Sequence, residues 1–253
     1  MAGRFFMRFN LHSSVGHFPA TCDIFERLLP YDRAELQKEL DDFEVIQGKR
    51  TEDLKNKYKS EIEKLKNKRV IFIGDSISSD NLGYRVSVTR AAELEAYDKT
   101  ISGGTSNMML QDARILTEKH RPDIVSVMVG SNDSVSIDGI PLVSIGEYER
   151  NIRSIVLWAE QSGAKVLLFE VTPVMESDFE KNFAEQYKTQ TNENIDRYNT
   201  VLRKIAGENG IGLISNAWIK ENDDMFEPDG IHLSVKAQEK FSEIWLTEAA
   251  KLF

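Results

Sequence analysis

The sequence predicts an α/β protein: a parallel sheet covered by helices on both faces, preceded by a helical extension. Three observations carry this. From about Arg69 onward, short and almost unbroken apolar runs alternate with longer stretches of helical period, as expected of strands buried on both faces and joined by helices. Before that point, residues 32–69 are dense in charge, contain one glycine, Gly48, and repeat apolar residues at helical spacing. The 253 residues suffice for one large domain plus an extension. The boundary expected from this change of pattern separates an arm and helical extension, 1–67, from a main domain, 68–253.

Taken in order, residues 1–31 show no clear period and predict no element. Leu36, Leu40, Phe43 and Ile46, followed by Leu54, Tyr58, Ile62 and Leu65, predict two amphipathic helices broken near Gly48. Each narrow stripe needs a partner surface. Packing on the same chain is the favoured reading; a homo-oligomer formed through the extension is the other, although the heptads are too few for a long coiled coil. Strands are expected at 70–74, 96–101, 123–130, 165–171 and 211–215, with helices at 106–119, 145–162, 186–209 and 234–251.

Bulk properties narrow the function. A formal net charge of −9 disfavours nucleic acid or an anionic membrane as the main partner. The single cysteine, Cys22, allows no intramolecular disulfide and no multi-cysteine zinc site, and it is read as a packing residue. No apolar run approaches the roughly 20 residues of a membrane span. The N-terminus mixes arginines with apolar residues, but Arg8, Asn10 and His12 interrupt any signal-like centre. A cytoplasmic location is expected.

Open parallel sheets bind ligands beyond the carboxyl ends of their strands. The segments there are Gly74-Asp-Ser76, Ser102-Gly-Gly-Thr105, Gly130-Ser-Asn-Asp133 and Thr172-Pro-Val174. The first three are rich in small or polar residues. Ser76 is a candidate nucleophile, but a serine hydroxyl needs a base. Four histidines are available: His12, His17, His120 and His232. His120 ends a charged helix, where it favours the dipole, and His12 and His17 lie in the unassigned arm. His232 follows Pro-Asp-Gly, a turn signal that can bring Asp229 toward its imidazole. Alone, Asp229-x-x-His232 is better explained as a turn or a cap for the last helix. Donors for an oxyanion are available from Ser76 N–H, Gly103 N–H and the Asn132 amide.

Together, Gly74-Asp-Ser-Ile-Ser78, Gly103, Gly130-Ser-Asn-Asp133 and Asp229-Gly-Ile-His232 resemble, in order, the four sequence blocks of the SGNH (GDSL-type) hydrolase superfamily. The resemblance spans about Arg69 to the C-terminus. It implies a three-layer α/β/α fold with a flavodoxin-like, five-stranded parallel sheet. It also implies ester or thioester hydrolysis without a metal or other cofactor, a triad of Ser76, Asp229 and His232, and an oxyanion hole of Ser76, Gly103 and Asn132. Two departures stand out. Asp98-Lys-Thr-Ile-Ser-Gly103 lacks the asparagine that often precedes the second-block glycine, leaving Gly103, the favoured donor, in competition with Gly104. The first block continues as Ser79-Asp-Asn-Leu-Gly83 rather than as small residues.

Other functional classes account for fewer of these residues. A metal-dependent phosphoesterase would gather Asp75, Asp133, Asp229 and His232 around a divalent ion, leaving Ser76 and Gly103 without roles. A non-catalytic carbohydrate- or acyl-binding module would leave the triad residue types unexplained. A dinucleotide site lacks its Gly-rich turn, and the usual α/β-hydrolase lacks its Gly-x-Ser-x-Gly elbow. The expected substrate is a small ester, a short acyl group on a sugar or other polar alcohol, with thioesters and lysophospholipids as alternatives. Residues 134–143 and 175–191 are expected to wall the site, although Phe179, Phe183 and Tyr187 at helical spacing also suit a core.

Overall fold

A computed structural model describes residues 2–14, 20–219 and 224–253; His17 lies outside them. Short helices α1 (Ala2–Arg8) and α2 (Cys22–Leu28) open the chain, with a 3-10 turn at Leu11–Ser14. The long α3 (Arg33–Lys57) and short α4 (Lys59–Leu65) follow. Then come β1 (Arg69–Gly74), α5 (Ser76–Ser79), α6 (Tyr84–Ala91), β2 (Glu95–Thr100), α7 (Ser106–His120) and β3 (Ile124–Met128). A hairpin of β4 (Ser136–Ile137) and β5 (Ile140–Pro141) leads to α8 (Ile145–Gln161), β6 (Lys165–Phe169), α9 (Glu176–Phe183), β7 (Lys188–Thr189), α10 (Asn192–Asn209), β8 (Gly212–Ile214) and α11 (Val235–Ala250).

The main sheet is parallel, in the order β2-β1-β3-β6-β8. Counted over its own strands this is 2-1-3-4-5, the flavodoxin order, whose switch point lies between β1 and β3. Alternation along β1 divides the core. Val70 and Phe72 enter one buried cluster with Tyr84 of α6 and Trp245 of α11; Ile71 and Ile73 enter the other with residues of α7, α8 and α10. The two clusters are the outer interfaces of three layers. Trp245 is fully buried and donates its indole N–H to Ser126 Oγ at 3.0 Å, satisfying the polar atom that burial would otherwise strand. At the amino edge of the sheet, the C-terminal Phe253 ring lies 4.4 Å beneath Lys68 Nζ.

The extension differs from expectation at one point. Its first long helix runs through Gly48, and the break falls at Tyr58, whose φ of −117° and ψ of 41° leave the helical region. A helical glycine costs about 1 kcal/mol relative to alanine, but the residues around Gly48 are anchored. Gln47 Nε2 donates to Asn81 O at 2.8 Å, and Arg50 donates to Leu82 O at 2.5 Å and Val235 O at 3.0 Å. The apolar stripe packs within the chain: Leu54 and Leu65 join the core beneath α11, while Leu36 and Phe43 pack with Met7, Cys22 and Phe25. Cys22 is buried among these side chains. The helix expected at 186–209 starts later, at Asn192, because Thr191 caps it by accepting from Asn194 N–H at 3.2 Å. Preceding residues instead pair β7 with β4 in a small antiparallel sheet.

Candidate active site

The site is built where the chain leaves β1. Gly74 ends the strand at a place without room for a side chain: an added Cβ would lie 2.6 Å from Ser78 Oγ and 2.8 Å from Met128 O. Asp75 caps the next turn by accepting from Ile77 N–H at 3.0 Å. This places Ser76 at the first helical position of α5, where a backbone N–H has no partner within its own helix. Burial pushes the Asp75 carboxyl up to about 7, against the opposing pull of the Ile77 N–H and His232.

Behind the serine lies a hairpin-like loop. Phe226 bridges Leu233 in antiparallel fashion, and Glu227 N–H donates to His232 O at 2.7 Å. At its tip, Asp229 Oδ1 accepts from Ile231 N–H at 3.1 Å and His232 N–H at 3.0 Å. Its other oxygen, Oδ2, lies 2.5 Å from His232 Nδ1. Burial pushes the Asp229 carboxyl up, but His232 and these N–H groups outweigh it, holding the group below its ordinary value. His232 Nε2 in turn lies 2.8 Å from Ser76 Oγ. The helix cap at the start of α11 is Ser234, which accepts from Ala237 N–H at 3.2 Å. Asp229 is therefore not that cap. One carboxylate oxygen holds the turn through Ile231 and His232 N–H, and the other faces the imidazole.

The third and fourth segments close the other side. Gly103 is exposed, with φ of +73°, a left-handed conformation that suits glycine. Gly104 N–H is taken by Ile101 O at 2.8 Å, which separates the two neighbouring glycines. Asn132 Nδ2 donates to Gly104 O at 3.0 Å, tying the loop after β3 to the loop after β2. Asp133, fully buried, accepts from Ser106 N–H at 3.0 Å to each oxygen and from the Ser106 hydroxyl. Burial raises its carboxyl to about 6, while these donors pull it back. Its contacts are at the start of α7, where they anchor the residue that follows Asn132.

The remaining candidates lie elsewhere. His120 ends α7 and packs on Tyr97 with ring centroids 3.7 Å apart. His12 is buried beside Phe25. Asp75, Asp133 and Asp229 are each engaged with different partners, and among the described residues no three His, Cys, Asp or Glu side chains are grouped to hold a metal ion. Of the expected walls, Phe179 is buried, whereas Tyr187, Ile140 and Leu142 face outward. Two aromatic neighbours were not foreseen. Phe9 lies over the His232 ring with centroids 4.1 Å apart, and Phe5 meets it edge-on at 5.2 Å. No period in the first 31 residues marks them; their only sequence signal is the density of Phe and Arg near the N-terminus.

The model of the GDSL-like lipase/acylhydrolase family matches residues 72–240. The chain belongs to that family. Membership makes it a carboxylic ester hydrolase. Solved structures agree on the fold. TesA is 24% identical with a TM-score of 0.57, covering 73% of this chain and 99% of its own. An acetyl xylan esterase, Axe2 from Geobacillus stearothermophilus, is 22% identical with a TM-score of 0.57, covering 73% of this chain and 96% of its own. A putative acylhydrolase from Bacteroides fragilis is 20% identical with a TM-score of 0.60, covering 78% of this chain and 95% of its own. No curated protein matches the chain by sequence. Among the described residues, no helix is long and apolar enough to cross a membrane.

Proposed function

We propose that this hydrolase cleaves short-chain acyl esters of a sugar or other small polar alcohol by two-step acyl transfer. The observation that carries the mechanism is the unbroken chain from Asp229 through His232 to Ser76, at 2.5 and 2.8 Å. Asp229 orients the imidazole with Nδ1 protonated, so that Nε2 accepts the Ser76 proton as Oγ attacks the carbonyl. The oxyanion is met by Ser76 N–H, Gly103 N–H and the Asn132 amide, one of whose hydrogens is already spent on Gly104 O. His232 then gives its proton to the leaving alcohol, and water repeats the sequence on the acyl-serine. The roles need no metal.

The substrate class rests on the surroundings. Gly103 and Asn132 give the mouth small and polar character, while the apolar residues of the β4–β5 hairpin face outward rather than lining an acyl tunnel. Among the similar structures is an acetyl xylan esterase. The single, buried Cys22 supports a reducing, cytoplasmic setting. Hydrolysis of p-nitrophenyl acetate, butyrate and octanoate, with EDTA present, tests the proposal in the natural protein and in Ser76→Ala. Activity confined to the natural protein and falling with chain length is expected. EDTA-sensitive turnover that survives Ser76→Ala would refute the triad, and preference for octanoate would refute the short acyl group. Running acetyl-thioester and lysophospholipid substrates alongside measures the other leaving groups.

A further inference from the structure

The N-terminal segment lies outside the part of the chain that matches the family, residues 72–240, yet it touches three of the loops that build the site. Arg8, almost fully buried, is the centre of these contacts. Its Nε and Nη2 donate to the two oxygens of the fully buried Asp80, at 3.1 and 2.9 Å. Asp80 immediately follows the helix that carries Ser76. The same guanidinium reaches both sides of the histidine-bearing loop: Nη2 donates to Leu233 O at 2.8 Å, and Nη1 pairs with Glu227. One rigid fork thus spans the nucleophile helix and the loop that presents the base.

The next two residues extend this clamp. Phe9 covers the imidazole of His232, and its carbonyl accepts the hydroxyl of Ser102, the residue before Gly103. Asn10 donates to Ser79 O, while Asn81 N–H returns a bond to Arg8 O at 2.7 Å. A segment serving only to cover apolar surface has no need of a buried, charge-assisted fork against the two loops whose spacing sets the Ser76–His232 distance.

We propose that residues 5–10 are part of the catalytic apparatus, with Arg8 as the positioning residue that sets the His232 loop against the Ser76 helix and Phe9 as the side chain that fixes the imidazole plane. This rests on the triad reading above. Neither residue touches substrate in this scheme; both act through His232. The architectural boundary near residue 67 is then not a functional one. Misplacing reacting groups by about 1 Å can cost about 10²-fold in rate, so the effect belongs in kcat rather than KM.

The test uses the full chain and the variants Arg8→Met, Arg8→Lys, Phe9→Leu and the double variant Arg8→Met/Asp80→Asn. The double variant removes the fully buried Asp80 carboxylate that Arg8→Met would leave uncompensated, Glu227 being partly exposed, and therefore covers the case in which Arg8→Met does not fold. Two rates are measured well below each melting point: p-nitrophenyl acetate turnover, and labelling of Ser76 by a small alkyl fluorophosphonate, which needs little substrate recognition. Expected are falls of about ten- to a hundred-fold in both kcat and labelling rate, with KM nearly unchanged. Arg8→Lys, keeping the charge without the fork, should recover only part. Variants that melt earlier but keep both rates within about two-fold while folded would overturn the proposal and leave the segment a purely structural role. Failure of the natural protein to label at Ser76 would instead overturn the triad, and this inference with it.

Discussion

Replacing Asp229 by asparagine tests the proposed mechanism through a single proton. The carboxylate divides its oxygens: Oδ1 accepts two backbone N–H groups, from Ile231 and His232, while Oδ2 faces His232 Nδ1. In Asp229→Asn the one remaining oxygen must stay with the two backbone donors, because turning the amide would set NH₂ against both. The NH₂ group therefore faces Nδ1 and makes it an acceptor. The ring proton moves to Nε2, the atom 2.8 Å from Ser76 Oγ, and the base can no longer take the serine proton. A wrong tautomer in a triad of this type lowers kcat by about 10⁴, equivalent to about 5 kcal/mol of transition-state stabilisation. The assay is steady-state hydrolysis of p-nitrophenyl acetate by a variant shown by circular dichroism to retain its fold. A kcat within about ten-fold of the natural protein would show that Asp229 does not govern the tautomer, and the assigned base would have to be abandoned.

Three further outcomes are expected. Asn132→Ala, which deletes a side-chain donor while leaving Asp133 on Ser106, should lower kcat by about 10²–10³ with a smaller change in KM; an effect confined to KM would remove Asn132 from the oxyanion site. Gly74→Ala should lower stability in urea unfolding by about 1–3 kcal/mol and displace Ser76, since its Cβ meets Met128 O at 2.8 Å; unchanged stability would contradict that packing. Asp75 titrates near 7 when folded but near its ordinary, lower value when unfolded. The folded state thus binds more protons between those values, so Asp75 makes stability fall as pH rises from about 4 to 7. In Asp75→Asn, which keeps a cap for Ile77, melting temperatures across that range should lose this decline; an identical slope would refute the assignment.

The sheet was legible because its strands are buried on both faces and therefore read as apolar runs. Ile71, Phe72, Val125 and Leu167 announce themselves without any knowledge of their neighbours. Three of the SGNH blocks were legible for a related reason: those at Ser76, Gly103 and Asn132 each lie within a few residues of a strand end, whereas Asp229 and His232 lie just before the last helix and were marked by the Pro-Asp-Gly turn. Elements held by distant polar contacts were harder to read. Nothing local at Gly48 reveals that Gln47 and Arg50 are hydrogen-bonded to loops more than thirty residues away, and the helix break was accordingly expected there rather than at Tyr58. The eight residues of α6 carry a short apolar stripe, Tyr84, Val88 and Ala91, too brief to stand out as a period. Arg8 illustrates the limit best. Its partners Asp80 and Glu227 lie 72 and 219 residues away, and no pattern along the chain connects them.

The position of Phe253 against Lys68 has a practical consequence. β1 carries the chain from Arg69 to the turn before Ser76, and six strand residues cover about 20 Å. The sixteen residues of α11 return from the His232 loop over about 24 Å to Lys251. Both routes place Phe253 on the side of the molecule opposite the serine. The enzyme tethered to a solid support or a reporter through its final residue would present its reactive face outward, whereas a tether beginning at residue 2 would emerge only a few residues from Phe5 and Phe9.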